Sequence, residues 1–328
     1  MKRLPESSVP TLIALPTGLP VGAVNVYFFP EPVPTLIDTG LKSNESLAAL
    51  KKGLSALGFS LRDLQRVVIS HPHVDHFGMA ADIIAENNAE LLVFEPTIPI
   101  LVDFSQAWRQ RGDYYMNVLF PKLNLSDETT NPIAEYYRTV EPVAASLPAE
   151  RIVPVRAGEW LQLGDRRWQV LYTPGHSGHL TCYYQPETRQ FISTDMLLAQ
   201  TPTPIIEPPA DRSTEYEPSL AQFLDSLAKI DSLAIDVTYP GHGEIFYDAH
   251  DLIARQRDRI RRRKEECLAH VRAGISTVEP ILLKMYPHYP PQFRFAALWM
   301  LVGYLDLLRA ENEIIRVERA GHWEYLPR

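Results

Sequence analysis

Four separate apolar runs in this chain end on a histidine or an aspartate, and that recurrence constrains the fold more than any other feature. "LQRVVIS" (64–70) runs into "HPHVDH" (71–76), "VLYTPG" (170–175) into His176, "FIST" (191–194) into Asp195, and "VTYPG" (237–241) into His242. Short runs rich in β-branched and aromatic residues, punctuated by Pro and Gly, read as buried strands. In a layered α/β protein strand ends gather along one edge, so groups far apart in sequence converge there.

The densest of these ends is His71-Pro-His73-Val-Asp75-His76. Residues two apart on a strand share a face, so His71 and His73 are expected to point together at the strand's exit, with Asp75 and His76 opening the next helix. Imidazoles mixed with carboxylates suit a catalytic metal centre better than a structural one. A divalent cation held in such a centre activates water at neutral pH and polarises a scissile carbonyl or phosphoryl oxygen. Asp75 at such a site is placed to orient that water and take its proton.

The surrounding pattern alternates. Strands are expected over 11–15, 23–29 and 34–38, then a helix over 43–58, the strand 64–70, a helix over 77–88 and a strand over 89–95. Residues 96–150 carry Trp108, Tyr114, Tyr115, Phe120, Tyr136 and Tyr137 and read as a helical insert, expected to be a lid over a substrate pocket. Strands resume over 151–175, followed by a hairpin over 181–195, a proline-rich loop (201–219) expected to border the site, a helix over 219–231 and a strand over 234–243. From 250 the pattern turns helical (250–273, 276–286, 291–311) and closes on two short strands (314–318, 322–326), a winged-helix-like unit. The expected division is therefore a catalytic domain over 1–249 and a small α+β domain over 250–328.

Charge follows the same division. Of 32 Lys+Arg and 40 Asp+Glu, the segment from His250 onward holds 14 and 10, which leaves the body acidic. A polyanionic partner is disfavoured for the body, and only "RQRDRIRRRK" (255–264) in the tail keeps RNA or phosphate contact open. Cys182 and Cys267 form no CxxC pair, which fits a reducing compartment. Pro5, Pro10, Pro16 and Pro20 interrupt the mildly apolar N-terminus, so no signal core or membrane span is expected and the chain reads as cytoplasmic.

Through "AVNVYFF", "LIDTG", "SHPHVDH", "TPGHSGH", "FISTD" and "YPGHG", the chain resembles the metallo-β-lactamase fold superfamily over roughly residues 11–245. The resemblance implies an αββα sandwich, here an α/β fold with a helical insert and the C-terminal unit. It makes His71, His73 and His176 the ligands of one metal and Asp75, His76 and His242 those of a second, with Asp195 bridging both. Asp38 resembles the family aspartate that orients a ligand from behind, and His179 is expected as a hydrogen-bonding neighbour. Two zinc ions per chain are implied, although manganese or iron suits the same donors. Ser70 stands where the family often has Thr, and Met79 where it often has a second Gly. The bridging position is Asp195 and not the cysteine of one true β-lactamase subgroup, which disfavours antibiotic hydrolysis. The expected activity is hydrolysis of an ester, thioester or lactone of a small or acyl-bearing substrate. Three alternatives stand beside it: an endoribonuclease using the basic helix, since the tail is similar to a module of lactamase-like proteins that include one; a mononuclear iron enzyme resembling persulfide dioxygenases through His71, His176 and Asp195; and a metal-dependent regulator without chemistry. No membrane partner is expected, and an oligomer is left open.

Overall fold

Alternation along the strands divides the apolar residues between two cores. In β2 (Val24–Phe29), Val24, Val26 and Phe28 belong to one buried cluster and Tyr27 and Phe29 to another. In β4 (Arg66–Ile69) and β5 (Glu90–Phe94), Val67, Ile69, Leu91 and Val93 join the first cluster, Val68 and Leu92 the second. Strands buried on both faces read as continuous apolar runs, as these do. The computed structural model describes residues 9–140, 144–200, 219–290 and 294–328.

One sheet has the order β1 (Thr11–Leu15), β2, β3 (Thr35–Ile37), β4, β5, β6 (Ile152–Val155), antiparallel up to β3 and parallel from there. The other runs β11 (Val237–Pro240), β10 (Gln190–Thr194), β9 (Thr181–Gln185), β8 (Arg166–Tyr172), β7 (Trp160–Leu163), with only the β10–β11 pair parallel. The smaller core is shared by both: Tyr27, Phe29, Val68 and Leu92 meet Trp168, Tyr183, Ile192 and Tyr239, which stacks the sheets face to face. Helix α1 (Asn44–Ala56) buries Leu50 and Leu54 on the first sheet. Helix α8 (Ser219–Asp231) buries Leu220, Phe223, Leu227 and Ile230 on the second. The expected αββα sandwich is the one observed.

The helix expected over 77–88 is instead two short pieces, α2 (Val74–Phe77) and α3 (Ala80–Ala85). The break is at Gly78, where a Cβ would lie 2.2 Å from the Val74 carbonyl oxygen and 2.9 Å from the Lys42 amide. Met79, in place of a small residue, is buried in the larger core.

The insert comprises α4 (Ile98–Val102), α5 (Phe104–Tyr114), a π-turn (Tyr115–Leu119), α6 (Phe120–Leu123) and α7 (Asp127–Val140). The tail comprises α9 (Ala249–Arg272), α10 (Val278–Met285), α11 (Arg294–Ala310) and the hairpin β12 (Ile314–Arg319)–β13 (His322–Pro327). Trp108 stacks on Tyr137 at 4.7 Å between ring centroids, and Tyr115 and Phe120 pack on Trp299 of α11 at 5.0 and 5.9 Å. These four insert rings are buried, Tyr115 and Phe120 against the tail and Trp108 and Tyr137 within the insert; the expectation that the insert's rings wall a substrate pocket does not hold for them. Glu279 of α10 accepts from the Ser126 amide (2.9 Å) and from the hydroxyls of Ser126 and Thr129 (both 2.6 Å), satisfying donors at the start of α7. A single buried cluster extends from Ile13 to Tyr325. The loop expected to border the site (201–219) lies outside the described residues up to Ser219, the first residue of α8. Among the described residues no helix is long and apolar enough to cross a membrane.

Candidate metal centre

Strand β4 ends at Ile69, so His71 and His73 do not converge by strand alternation, as the sequence pattern suggests; they turn together in the loop leading to α2, whose N-terminal boundary is His73. That loop is pinned from β9: the Thr181 amide and hydroxyl both donate to the Ser70 carbonyl, each at 3.0 Å. His176 follows the turn after β8. Gly175, at φ 140°, is required there because a Cβ would sit 2.5 Å from the Phe223 backbone of α8. Asp195 leaves β10 at a bulge where Thr194 takes φ 45°, a costly conformation for a β-branched residue. His242 leaves β11, and its loop is held by β2. The Asn25 side chain donates to Pro240 and Gly243 carbonyls (2.9 and 2.8 Å), and the Tyr27 hydroxyl donates to Pro240 (2.6 Å).

The four strand ends bring their donors into one buried cluster. His71 Nε2 lies 3.0 Å from His73 Nδ1, and His176 Nε2 lies 3.1 Å from the same atom. Three nitrogens bound at about 2.0–2.1 Å around one tetrahedral cation would be roughly 3.3 Å apart, so this triad suits one ion. Asp75, His76 and His242 make a second group, with His242 Nε2 3.4 Å from Asp75 Oδ2. Asp195 Oδ2 stands between the two: 3.4 Å from His176 Nε2, 3.4 Å from His76 Nε2 and 3.5 Å from His242 Nε2.

Hydrogen bonds to the far ring nitrogens fix which edge each imidazole presents. Asp38 Oδ2 bonds His76 Nδ1 at 2.8 Å and accepts from the Ser70 hydroxyl at 2.7 Å, while Asp38 Oδ1 accepts from the Ser70 amide at 2.9 Å. Ser70 in turn contacts His71 Nδ1 at 2.9 Å, and His242 Nδ1 donates to the Ala23 carbonyl at 2.9 Å. In each of these rings Nε2 is therefore left to face the cluster, the arrangement that orients and strengthens metal-binding histidines. Asp38 itself sits at φ 61°, a left-handed conformation that Asp tolerates better than most residues.

Electrostatics point the same way. Burial disfavours a proton on His76, yet Asp195, Asp38 and Asp75 outweigh it and hold its pKa well above the usual histidine value. Burial acts likewise on His242, and Asp195 and Asp75 push it up to about 10. Burial would raise the Asp75 carboxyl, but His76 and His242 push it down to about 2; Asp195 is held well below the usual range by the same two histidines. His71, buried beside His76 and His73, is pushed well down. Three buried carboxylates, Asp38, Asp75 and Asp195, call for positive charge nearby, which a divalent cation would supply. Asp195 Oδ1 and His76 Nε2 are buried without a hydrogen-bond partner among the described residues, as metal-facing atoms would be. The donor set thus fits a divalent metal centre.

His179 is half-buried in the turn after His176, its amide directed at Ser177 Oγ (3.4 Å), and it belongs to none of the donor groups among the described residues. Sequence reasoning passes over Asn25, Tyr27 and Gly241. A polar Asn inside an otherwise apolar strand is the one readable signal. Gly241 is required by proximity: a Cβ there would lie 2.0 Å from Asp195 Oδ1 and 3.0 Å from His76 Cε1. Gly241→Ala is expected to displace Asp195, lower the bound metal per chain and reduce turnover more than tenfold with an unchanged circular dichroism spectrum. Full metal content in that variant would contradict the packing.

The family profile described as "Metallo-beta-lactamase superfamily" matches residues 19–242, which takes in every donor named above. The chain belongs to the metallo-β-lactamase superfamily. Membership in that superfamily implies divalent metal binding, and the expectation of a metal-dependent hydrolase agrees with a relative along almost the whole chain. That relative is the Bacillus subtilis protein named "Probable metallo-hydrolase YqjP", 28% identical over 315 residues, or 95% of this chain and 94% of its own. A solved metallo-β-lactamase family protein from Thermus thermophilus shares the fold with a TM-score of 0.79 at 24% identity, covering 97% of this chain and 98% of that one. Both matches run past the superfamily domain into α9–β13, so the tail is part of an architecture these proteins share. An Aspergillus fumigatus protein named "Atrochrysone carboxyl ACP thioesterase" is 27% identical over 100 residues, 30% of this chain and 28% of its own.

Proposed function

We propose that this superfamily member is a dinuclear hydrolase that directs water onto the carbonyl of a thioester, ester or lactone of a small or acyl-bearing molecule. The observation that carries the reading is Asp195 Oδ2, within 3.4–3.5 Å of histidines from both donor groups and so placed to be shared by two ions. When bound, the two cations would supply Lewis-acid polarisation of the carbonyl and a lowered pKa for water. His71, His73 and His176 would hold one ion, Asp75, His76 and His242 the other. The Asp75 carboxylate, on the edge of the second group, orients the attacking water and receives its proton. Asp38 keeps His76 and the Ser70–His71 loop in register. Zinc suits this donor set first, with manganese or iron accepted by the same groups.

The thioester is favoured by the printed name of the Aspergillus relative, and the acidic body disfavours long polyanions. A complete second donor group argues against a mononuclear iron centre. The tail argues against a ribonuclease. Of the seven basic residues in 255–264, six pair with carboxylates of the chain itself: Arg255 with Asp248, Arg257 with Asp231, Arg261 with Asp258 and Glu265, Arg262 with Asp258, Arg263 with Glu266 and Lys264 with Glu311. Cys182 and Cys267, both buried and unbridged, support the cytoplasmic setting.

The test is elemental analysis of protein purified without added metal, followed by thioester, ester and lactone panels with and without chelator. Two metals per chain and thioester turnover that falls at least a hundredfold on chelation, with recovery on adding zinc, are expected. An absence of metal-dependent turnover on all three panels would sink the reading.

A further inference from the structure

The one basic residue of 255–264 that has no ion pair or hydrogen bond among the described residues is Arg259, and it lines a cleft. Arg259, Arg262 and Arg263 stand at i, i+3 and i+4 on α9, which places all three on one face of the helix. That face forms one wall of an open cleft of about 390 Å³. The other wall is the segment that ends α10 and continues through Tyr286, His288 and Tyr289. This volume falls within the range of about 300–1,000 Å³ common to small-molecule sites. No carboxylate stands among the lining residues.

Two of the three arginines are already held in place. Arg263 donates to Glu266 (2.5 Å) and to the Met285 carbonyl (2.6 Å), with its guanidinium 4.3 Å from the centre of the Tyr286 ring. Arg262 is tied to Asp258 only through Nε (2.9 Å), so its terminal nitrogens, like the whole of Arg259, stay available to a ligand. Tyr286 and Tyr289 meet edge to face at 5.2 Å. Tyr289 and His288 are exposed, so their rings are open to an incoming planar group. Terminal guanidinium nitrogens recognise phosphate in a bidentate manner, and aromatic faces and Arg planes stack nucleobases.

We propose that this cleft binds a nucleoside phosphate, with Arg259 and Arg262 on the phosphate oxygens and the Tyr286–Tyr289 ring pair against the base. The site shares no residue with the metal-donor groups. A single-site ligand suits it better than a nucleic-acid strand, because the flanking arginines that would follow a backbone are neutralised within the chain.

The experiment is calorimetric titration of the metal-loaded full chain with ADP, with adenosine and with inorganic phosphate. Micromolar binding of ADP, weaker binding of the two fragments, and hydrogen-exchange protection of 259–263 and 285–289 on adding ADP are expected. Arg259→Gln should weaken ADP at least tenfold and Arg262→Gln several-fold, with metal content and hydrolase turnover unchanged. The proposal is overturned if ADP does not bind at millimolar concentration, if both variants bind it as the parent does, or if a short RNA binds and ADP does not. Inorganic phosphate binding as tightly as ADP would overturn the assignment of the rings to a base.

Discussion

Asp195→Asn is expected to lower turnover by at least a thousandfold and to leave fewer than two metal ions per chain, while the protein stays folded. The substitution keeps the size of the side chain and removes its charge. In the native site one oxygen of Asp195 faces His176, His76 and His242 at 3.4–3.5 Å. In the proposed dinuclear centre a neutral amide would not offset two dications held close together, so one ion would be lost or the two would move apart. A thousandfold corresponds to about 4 kcal/mol of transition-state stabilisation, a modest share of what charge stabilisation in a dry site supplies. The checks are metal content, kcat on the best panel substrate and circular dichroism. Two retained ions with turnover within tenfold of the parent would mean that Asp195 does not bridge.

Trp299→Ala tests the other large claim, that insert, tail and body share one core. Trp299 is 2% exposed and packs against Tyr115 and Phe120 of the insert and Phe295 of its own helix. Truncating such a ring costs about 3–5 kcal/mol through lost burial and the cavity left behind. A lowered Tm in a single transition is expected, with release of bound metal moving down by the same interval. Two transitions, only the lower of them shifted, would instead show that the segment after residue 249 unfolds by itself and bears out a division there.

Legibility differs from element to element, for physical reasons. Strands β4, β8, β10 and β11 and their terminal donors are readable because an apolar run closed by Pro, Gly or a polar donor leaves few other conformations. The way His71 and His73 meet is not, since two residues apart on a strand and two residues apart in a tight turn look alike in sequence. The helix after the motif reads as continuous because Gly78 costs only about 1 kcal/mol inside a helix; the close approach of the Lys42 amide and the Gly40 carbonyl to Gly78 is a long-range contact. The insert's aromatics read as a lid because ring-rich segments wall pockets and fill cores equally well. Which they do depends on whether α11 lies beneath them. The basic run looks like an RNA grip until its carboxylate partners, at positions as distant as 231 and 311, are placed beside it.

By itself, then, the sequence determined the chemistry on offer: three histidines and an aspartate in one strip, and His176, Asp195 and His242 each at a strand's exit, a donor set that suits a divalent metal. The family resemblance already implied how those donors divide into two groups with Asp195 between them; only the tertiary structure decided which ring nitrogen faces the cluster in His71, His76 and His242, and why position 241 has no room for a side chain. Donor identity is a local property that a residue carries wherever it sits. Convergence is set by sheet order and by the stacking of two sheets whose strands are apolar on both faces, and an apolar run does not reveal which sheet, or which neighbour, it will join.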